Sequence, residues 1–146
     1  MIDLSSFHKA IAQVDAALAF CESAMAHSNP RLALHLRAAA IQAFEFTYEF
    51  AVKTLKRFLE MTNPYPSAID EMSINDLIRH GYELGLLRAE LVGWKQFRRD
   101  RGTTSRAYDE KKALDVFAGI PAFLDEANYL YAEIKRRQEV SEDAGN

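Results

Sequence analysis

The 146-residue chain has a single cysteine, Cys21, which excludes an intrachain disulfide and a cysteine-based metal cluster. Four prolines and six glycines are too few for a linker-rich or low-complexity chain. No apolar run approaches the length of a bilayer span. The opening MIDLSSFHKA has neither a basic region nor a continuous apolar stretch of the secretory kind. A cytoplasmic protein with no membrane association is expected. An excess of positive charge is also missing: the formal net charge is −3 and the pI is near 5.8, which argues against wholesale coating of nucleic acid. No segment sustains a period of two and no hairpin dipeptide separates apolar runs, which removes β architectures. There is no glycine-rich phosphate loop, and His8, His27, His35 and His80 lack metal-ligand spacing, so neither metal nor cofactor is expected.

What is present is helical periodicity. Leu4, Phe7, Ile11, Val14, Leu18, Cys21 and Met25 follow a three-four alternation, the seam of a helix packed nearly parallel to a neighbour. Asn29-Pro30 then forces a turn. From Arg31 to about Met61 nothing breaks the chain, and one long helix is expected there. One of its faces carries Ile41, Phe44, Tyr48, Val52, Leu55 and Leu59, while Phe46 and Phe50 lie nearly opposite. Apolar surface on two sides points to a subunit interface through Phe46 and Phe50. Ser73-Ile74-Asn75-Asp76 resembles a capping box opening a short helix that ends near Gly81 or Gly85. A further helix spans about Arg88 to Arg101, with Leu91, Trp94 and Phe97 inward and Gly102 as its left-handed terminator. The last helix starts after Asp109, and Pro121 within it predicts a kink. The expectation is an all-α, up-and-down antiparallel four-helix bundle with a short extra helix. It forms one domain over residues 1–140, and 141–146 is a frayed polar tail.

The stretch RRDRGTTSRAYDE, residues 98 to 110, concentrates the positive charge of this acidic chain. From Trp94 to Arg106, Lys95, Arg98, Arg99, Arg101 and Arg106 face one acid, Asp100. Guanidinium forks at this density suit phosphate, and the hydroxyls of Thr103, Thr104 and Ser105 add donors. The plain alternative is a solvated helix end whose arginines favour the negative pole of the helix. A polar stripe of Gln42, Glu45, Glu49, Lys53 and Lys56 runs along the long helix. Glu49 and Lys53 read plainly as a surface ion pair. Read functionally, Glu45, Glu49 and Lys53 line a groove that meets the arginines.

Two blocks carry a family resemblance. IQAFEFTYEFAVKTLK, residues 41–56, resembles the second-helix signature of the nucleotidyltransferase substrate-binding proteins, a branch of the HEPN superfamily. SINDLIRHGYELGLL, Trp94 and RGTTSRAYDEKKA continue the likeness in order, over roughly residues 5–135. Where the family has tryptophan before the matching lysine, this chain has Val52. The resemblance implies a helical homodimer paired with a minimal nucleotidyltransferase on a separate chain, in a two-gene module like those of toxins and antitoxins. Many HEPN proteins are metal-independent ribonucleases with an arginine, a histidine after four to six intervening residues, and often a tyrosine two residues beyond. Those positions fall here on Arg101, Arg106 and Tyr108. The polar residue that commonly follows the first arginine is Gly102.

Arginine in place of histidine changes the chemistry, because guanidinium stays protonated and cannot shuttle a proton near neutral pH. The expected function is therefore a non-catalytic subunit. It would hold a nucleotide or RNA through Arg98, Arg101, Thr104, Ser105, Arg106 and Tyr108. A ribonuclease toxin using Arg101, silenced by AMP transfer to Tyr108, is the alternative. A purely structural oligomerisation module, its arginines paired with Glu45 or Glu49, is the third reading.

Overall fold

A computed structural model describes residues 1–145. Seven α-helices occur among them: α1 (Ser5–Cys21), α2 (Ala24–Ser28), α3 (Pro30–Thr62), α4 (Pro66–Asp70), α5 (Ile74–Glu83), α6 (Leu91–Thr103) and α7 (Glu110–Gly145). A 3₁₀ turn, Thr104–Arg106, joins α6 to α7. The long helices α1, α3, α6 and α7 form the four-helix bundle, and no strand occurs among the described residues. No helix there is long and apolar enough to cross a membrane.

Local chemistry sets the boundaries. The Asn29 side chain accepts from the Leu32 N–H at 3.1 Å and Pro30 occupies the first turn, so α3 starts one residue earlier than expected. The helix α1 stops at Cys21, and the Ser23 hydroxyl caps a new helix by accepting from the Ala26 N–H at 3.3 Å. This restart carries Met25 off the seam: Phe7, Ile11 and Val14 are buried, whereas Met25 is exposed. Ser73 caps α5 at 3.1 Å through the Asp76 N–H, as the capping box predicts. At the other end of α5, Leu86 N–H donates to the Gly81 carbonyl at 2.9 Å and Gly85 N–H to that of Tyr82 at 3.0 Å. These bonds make a Schellman close, and Gly85 supplies the left-handed residue with φ +76°.

Two sequence expectations change. Gly102 is not a left-handed terminator, because α6 continues through it into Thr103 and the 3₁₀ turn. The helix α7 runs unbroken through Pro121, which sits on the exposed side. It also continues through residues 141–145, where a frayed tail was expected, since adding turns to a formed helix is easier than nucleating one. Asn146 lies outside the described residues.

The core begins where α1 meets α3. Ala10, Val14, Ala40 and Ala43 let the backbones approach, and the buried Thr47 hydroxyl lies 2.7 Å from the Ala43 carbonyl and 3.1 Å from that of Ala10. Where α3, α6 and α7 converge, the core turns aromatic. The Phe44 and Phe123 rings meet edge to face at 5.0 Å, and Phe97 packs against both Phe123 and Trp94 at 5.4 Å. Such pairs add to area burial and fix ring orientation, which makes this junction a rigid base for the surface above it.

Candidate functional site

Polar groups of α7 pin the segment that leads into α6. The buried carboxylate of Glu126 accepts from the backbone N–H groups of Arg88 at 2.8 Å and Ala89 at 2.6 Å. The Tyr129 hydroxyl donates to the Gly85 carbonyl at 3.0 Å, and Arg137 donates to that of Leu84 at 2.7 Å. The guanidinium of Arg88 lies 5.2 Å from the centre of the Tyr129 ring. With Trp94 and Phe97 locked into the aromatic junction, the orientation of α6 is fixed.

That orientation turns Arg101 toward α3. Its guanidinium donates to the Glu49 carboxylate and lies 3.4 Å from an oxygen of Glu45. The hydrogen bond that Arg101 donates to Glu49 is the main cause that raises its already high pKa. Glu49 therefore pairs across helices, and its expected partner Lys53 forms no ion pair among the described residues. Beneath the fork, burial pushes the Tyr48 phenol up, while the charges of Arg98 and Arg101 pull it down.

The other predicted residues are distributed along the turn. The Thr103 hydroxyl donates to the Arg99 carbonyl at 2.9 Å and that of Thr104 to the Arg101 carbonyl at 2.8 Å. Their protons are committed to the backbone, which corrects the expectation that both serve as free donors. Ser105 and Arg106 are exposed, and Tyr108 is 89% exposed at the tip of the connection. Asp109 caps α7 through the Lys112 N–H at 3.2 Å. Arg37 grips the Glu110 carboxylate with both nitrogens, at 3.0 and 2.7 Å, which ties the start of α7 to α3. The bonds with Arg37 hold the Glu110 carboxyl below the usual carboxylate range.

The structure brings Arg101, Glu45 and Glu49 together, and leaves Arg98 exposed one turn earlier on α6 and Arg106 and Tyr108 on the exposed connection. Lys53 and Glu49 line a shallow depression of about 120 Å³ beside Phe46 and Phe50. Phe46 is 49% exposed, whereas Phe50 is half-buried and leans on the core.

Over residues 2–136 the sequence matches the family described as "Nucleotidyltransferase substrate binding protein like". The chain belongs to this family. It is a HEPN protein of the nucleotidyltransferase substrate-binding branch, as the FEFTYE block predicts. It is 35% identical over 104 residues to a Haemophilus influenzae protein named "Probable ribonuclease HepT", covering 71% of this chain and 70% of the relative. A solved Haemophilus influenzae structure, described as the fold of a substrate-binding domain of a nucleotidyltransferase, superposes with a TM-score of 0.85 at 27% identity. The match covers 91% of this chain and 99% of that one. A Thermus thermophilus structure matches with a TM-score of 0.69 at 29% identity, over 88% and 98% of the two chains.

Residues that the sequence reading missed do much of the positioning in this family member. Glu126 had a readable signal, because it is an acid within the apolar stripe Phe123, Ala127 and Leu130 of α7. Asp100 counted as one acid among the arginines, yet it is buried at 8% exposure and faces α7. Its Oδ1 accepts from Gln96 at 2.9 Å, and a Cβ on Gly119 would stand 2.6 Å from its Oδ2. Burial raises the Asp100 pKa, against the lowering effects of Gln96 and Arg99.

Proposed function

We propose that this chain is the non-catalytic, substrate-binding subunit of a two-chain module of the toxin-antitoxin kind. It works in the cytoplasm as a homodimer with a separate minimal nucleotidyltransferase. The observation that carries this reading is the chemistry at the fork. Arg101 is held against the Glu45 and Glu49 carboxylates with Arg98 one turn before it on α6, but the position two residues before Tyr108 holds Arg106, which cannot accept a proton. A nucleotide or an RNA phosphate would take the place of Glu49 on Arg101, with Ser105 and Arg106 closing from the exposed turn. Phe46, beside Phe50, supplies the dimer face. Family membership and the described role of the Haemophilus structural relative support the pairing. Analytical ultracentrifugation of the chain with the product of its neighbouring gene tests it: a stable complex with a small nucleotidyltransferase is expected, and its absence would overturn the reading.

A ribonuclease whose activity is ended by AMP transfer to Tyr108 is the second reading. It is favoured by the 89% exposure of that tyrosine and by the name of the Haemophilus relative. The phenol oxygen would attack the α-phosphorus of ATP, releasing pyrophosphate. RNA cleavage that disappears in Arg101→Ala would support this reading. A third, structural reading draws on the pairing of Arg101 with Glu49 and Glu45. It predicts that nucleotides leave the melting temperature unchanged, whereas a ligand of the native state raises it with concentration.

A further inference from the structure

Around α6 from the arginine fork, on the side facing α7, lies a separate cleft of about 580 Å³. That is the size of a small-molecule site, and its composition fits one: apolar surface with a few placed polar groups. Gly93, Phe97, Gly119 and Ala122 line it, so a flat group or an aliphatic stem can lie against backbone and ring without meeting bulky side chains. At its edge stands Asp100, more than nine-tenths buried. Only its Oδ1 is engaged, by Gln96, and Oδ2 has no hydrogen-bond donor among the described residues. Asp100 lines the cleft and Oδ2 is accessible there, and a carboxylate oxygen without a donor is the kind of group that a bound cation satisfies.

The charges around the cleft favour the same ligand. Asp125 lines it and is exposed, and Asp115 acts on Asp100 as a further negative charge. Glu126 is already satisfied by two backbone N–H groups, and the one cation of the lining, Arg88, is placed over the Tyr129 ring. We propose that this cleft binds a guanidinium or ammonium group on an aliphatic stem, with Asp100 Oδ2 as principal acceptor and Asp125 at the mouth. The stem lies along Gly93, Gly119 and Phe97. This chemistry is shared by an arginine or lysine side chain of a docked protein and by a free aliphatic amine.

Titration of the ¹⁵N-labelled full chain with agmatine, and separately with the capped peptide acetyl-Gly-Arg-Gly-amide, tests the proposal. Saturable shifts are expected at the Gly93 and Gly119 amides and at the indole N–H of Trp94, which packs on Phe97. Tighter binding of the peptide points to a partner's side chain, and tighter binding of agmatine to a free amine. Asp100→Asn, which keeps the side-chain shape, should weaken either probe at least about tenfold, the loss of one charge-assisted hydrogen bond. Gly119→Ala, which crowds Asp100, should weaken both as well. Circular dichroism checks that each variant is folded, and Asp100→Asn suffices if Gly119→Ala is not. The proposal is overturned if neither probe gives saturating shifts up to about 10 mM, or if Asp100→Asn binds like the parent chain.

Discussion

Arg101 on α6 and Glu49 on α3, 52 residues apart in sequence, form an ion pair across the bundle, and Glu45 stands 3.4 Å from the same guanidinium. An incoming phosphate must compete with both carboxylates for one fork. Glu49→Gln removes the stronger competitor while preserving size. We expect it to tighten binding of ADP or of a short RNA by about three- to tenfold, in line with one charge-assisted contact regained. Arg101→Ala should abolish that binding. Isothermal titration at two salt concentrations checks both variants, since a phosphate contact weakens with salt. Glu49→Gln that lowers the melting temperature and leaves ligand binding absent would favour the structural reading.

Two glycines on facing elements predict opposite outcomes. Alanine at Gly119 places a methyl 2.6 Å from Asp100 Oδ2, so α6 and α7 must shift or the carboxylate must leave its pocket. Gly119→Ala should cost about 1–3 kcal/mol, the range for overpacking a tight contact. Alanine at Gly102 meets nothing within 4 Å and occupies a helical position, so Gly102→Ala should stabilise by up to about 1 kcal/mol. Urea unfolding monitored at the single, buried Trp94 reads both changes.

Periodicity made most of the bundle legible. On the inward face of α3, Ile41, Phe44, Tyr48, Leu55 and Leu59 are buried as the 3.6-residue spacing predicts, and Val52 is half-buried against the core. Boundaries were harder, because Ser23 restarts a helix that the seam through Cys21 and Met25 ran straight across. Gly102 misled for a related reason: a glycine marks a helix end only where the backbone turns left-handed, and here that residue is Gly85. The site was half legible. Arg98 and Arg101 could be nominated by charge density, but the commitment of Arg101 to Glu49 depends on how α6 crosses α3, which no local pattern records. Thr103 and Thr104 read as donors until their backbone bonds were in place.

Asp100 links this chain's stability to pH. Its folded pKa is raised, chiefly by burial, so the folded state binds the proton more tightly than the unfolded chain. The sign follows from proton linkage: the protonated form's contribution is fully present below the unfolded value and is lost as pH rises through the folded one. Asp100→Asn removes that loss and keeps an acceptor for Gln96. Relative to the parent chain it should gain melting temperature from about pH 4 upward, reach a plateau above the folded pKa, and gain nothing near pH 3. Thermal scans across that range check it, and a gain independent of pH would show that the carboxylate's charge is not the cause.

Phe46 is one of several large apolar side chains left exposed, and it stands on the long helix at the proposed interface. It is 49% exposed in the middle of α3, beside the half-buried Phe50 and the depression that Glu49 and Lys53 share. With Phe50 beside it, Phe46 can anchor another surface on the proposed dimer face. In the proposed homodimer the two copies of α3 would cover each other through this face. If the proposed dimer forms through this face, Phe46→Asp should convert it to monomer while leaving the fold intact, because the half-exposed side chain is not part of the buried core. Light scattering coupled to size exclusion reads the mass, and circular dichroism the fold. A dimer that survives the substitution at micromolar concentration would move the interface off this face of α3.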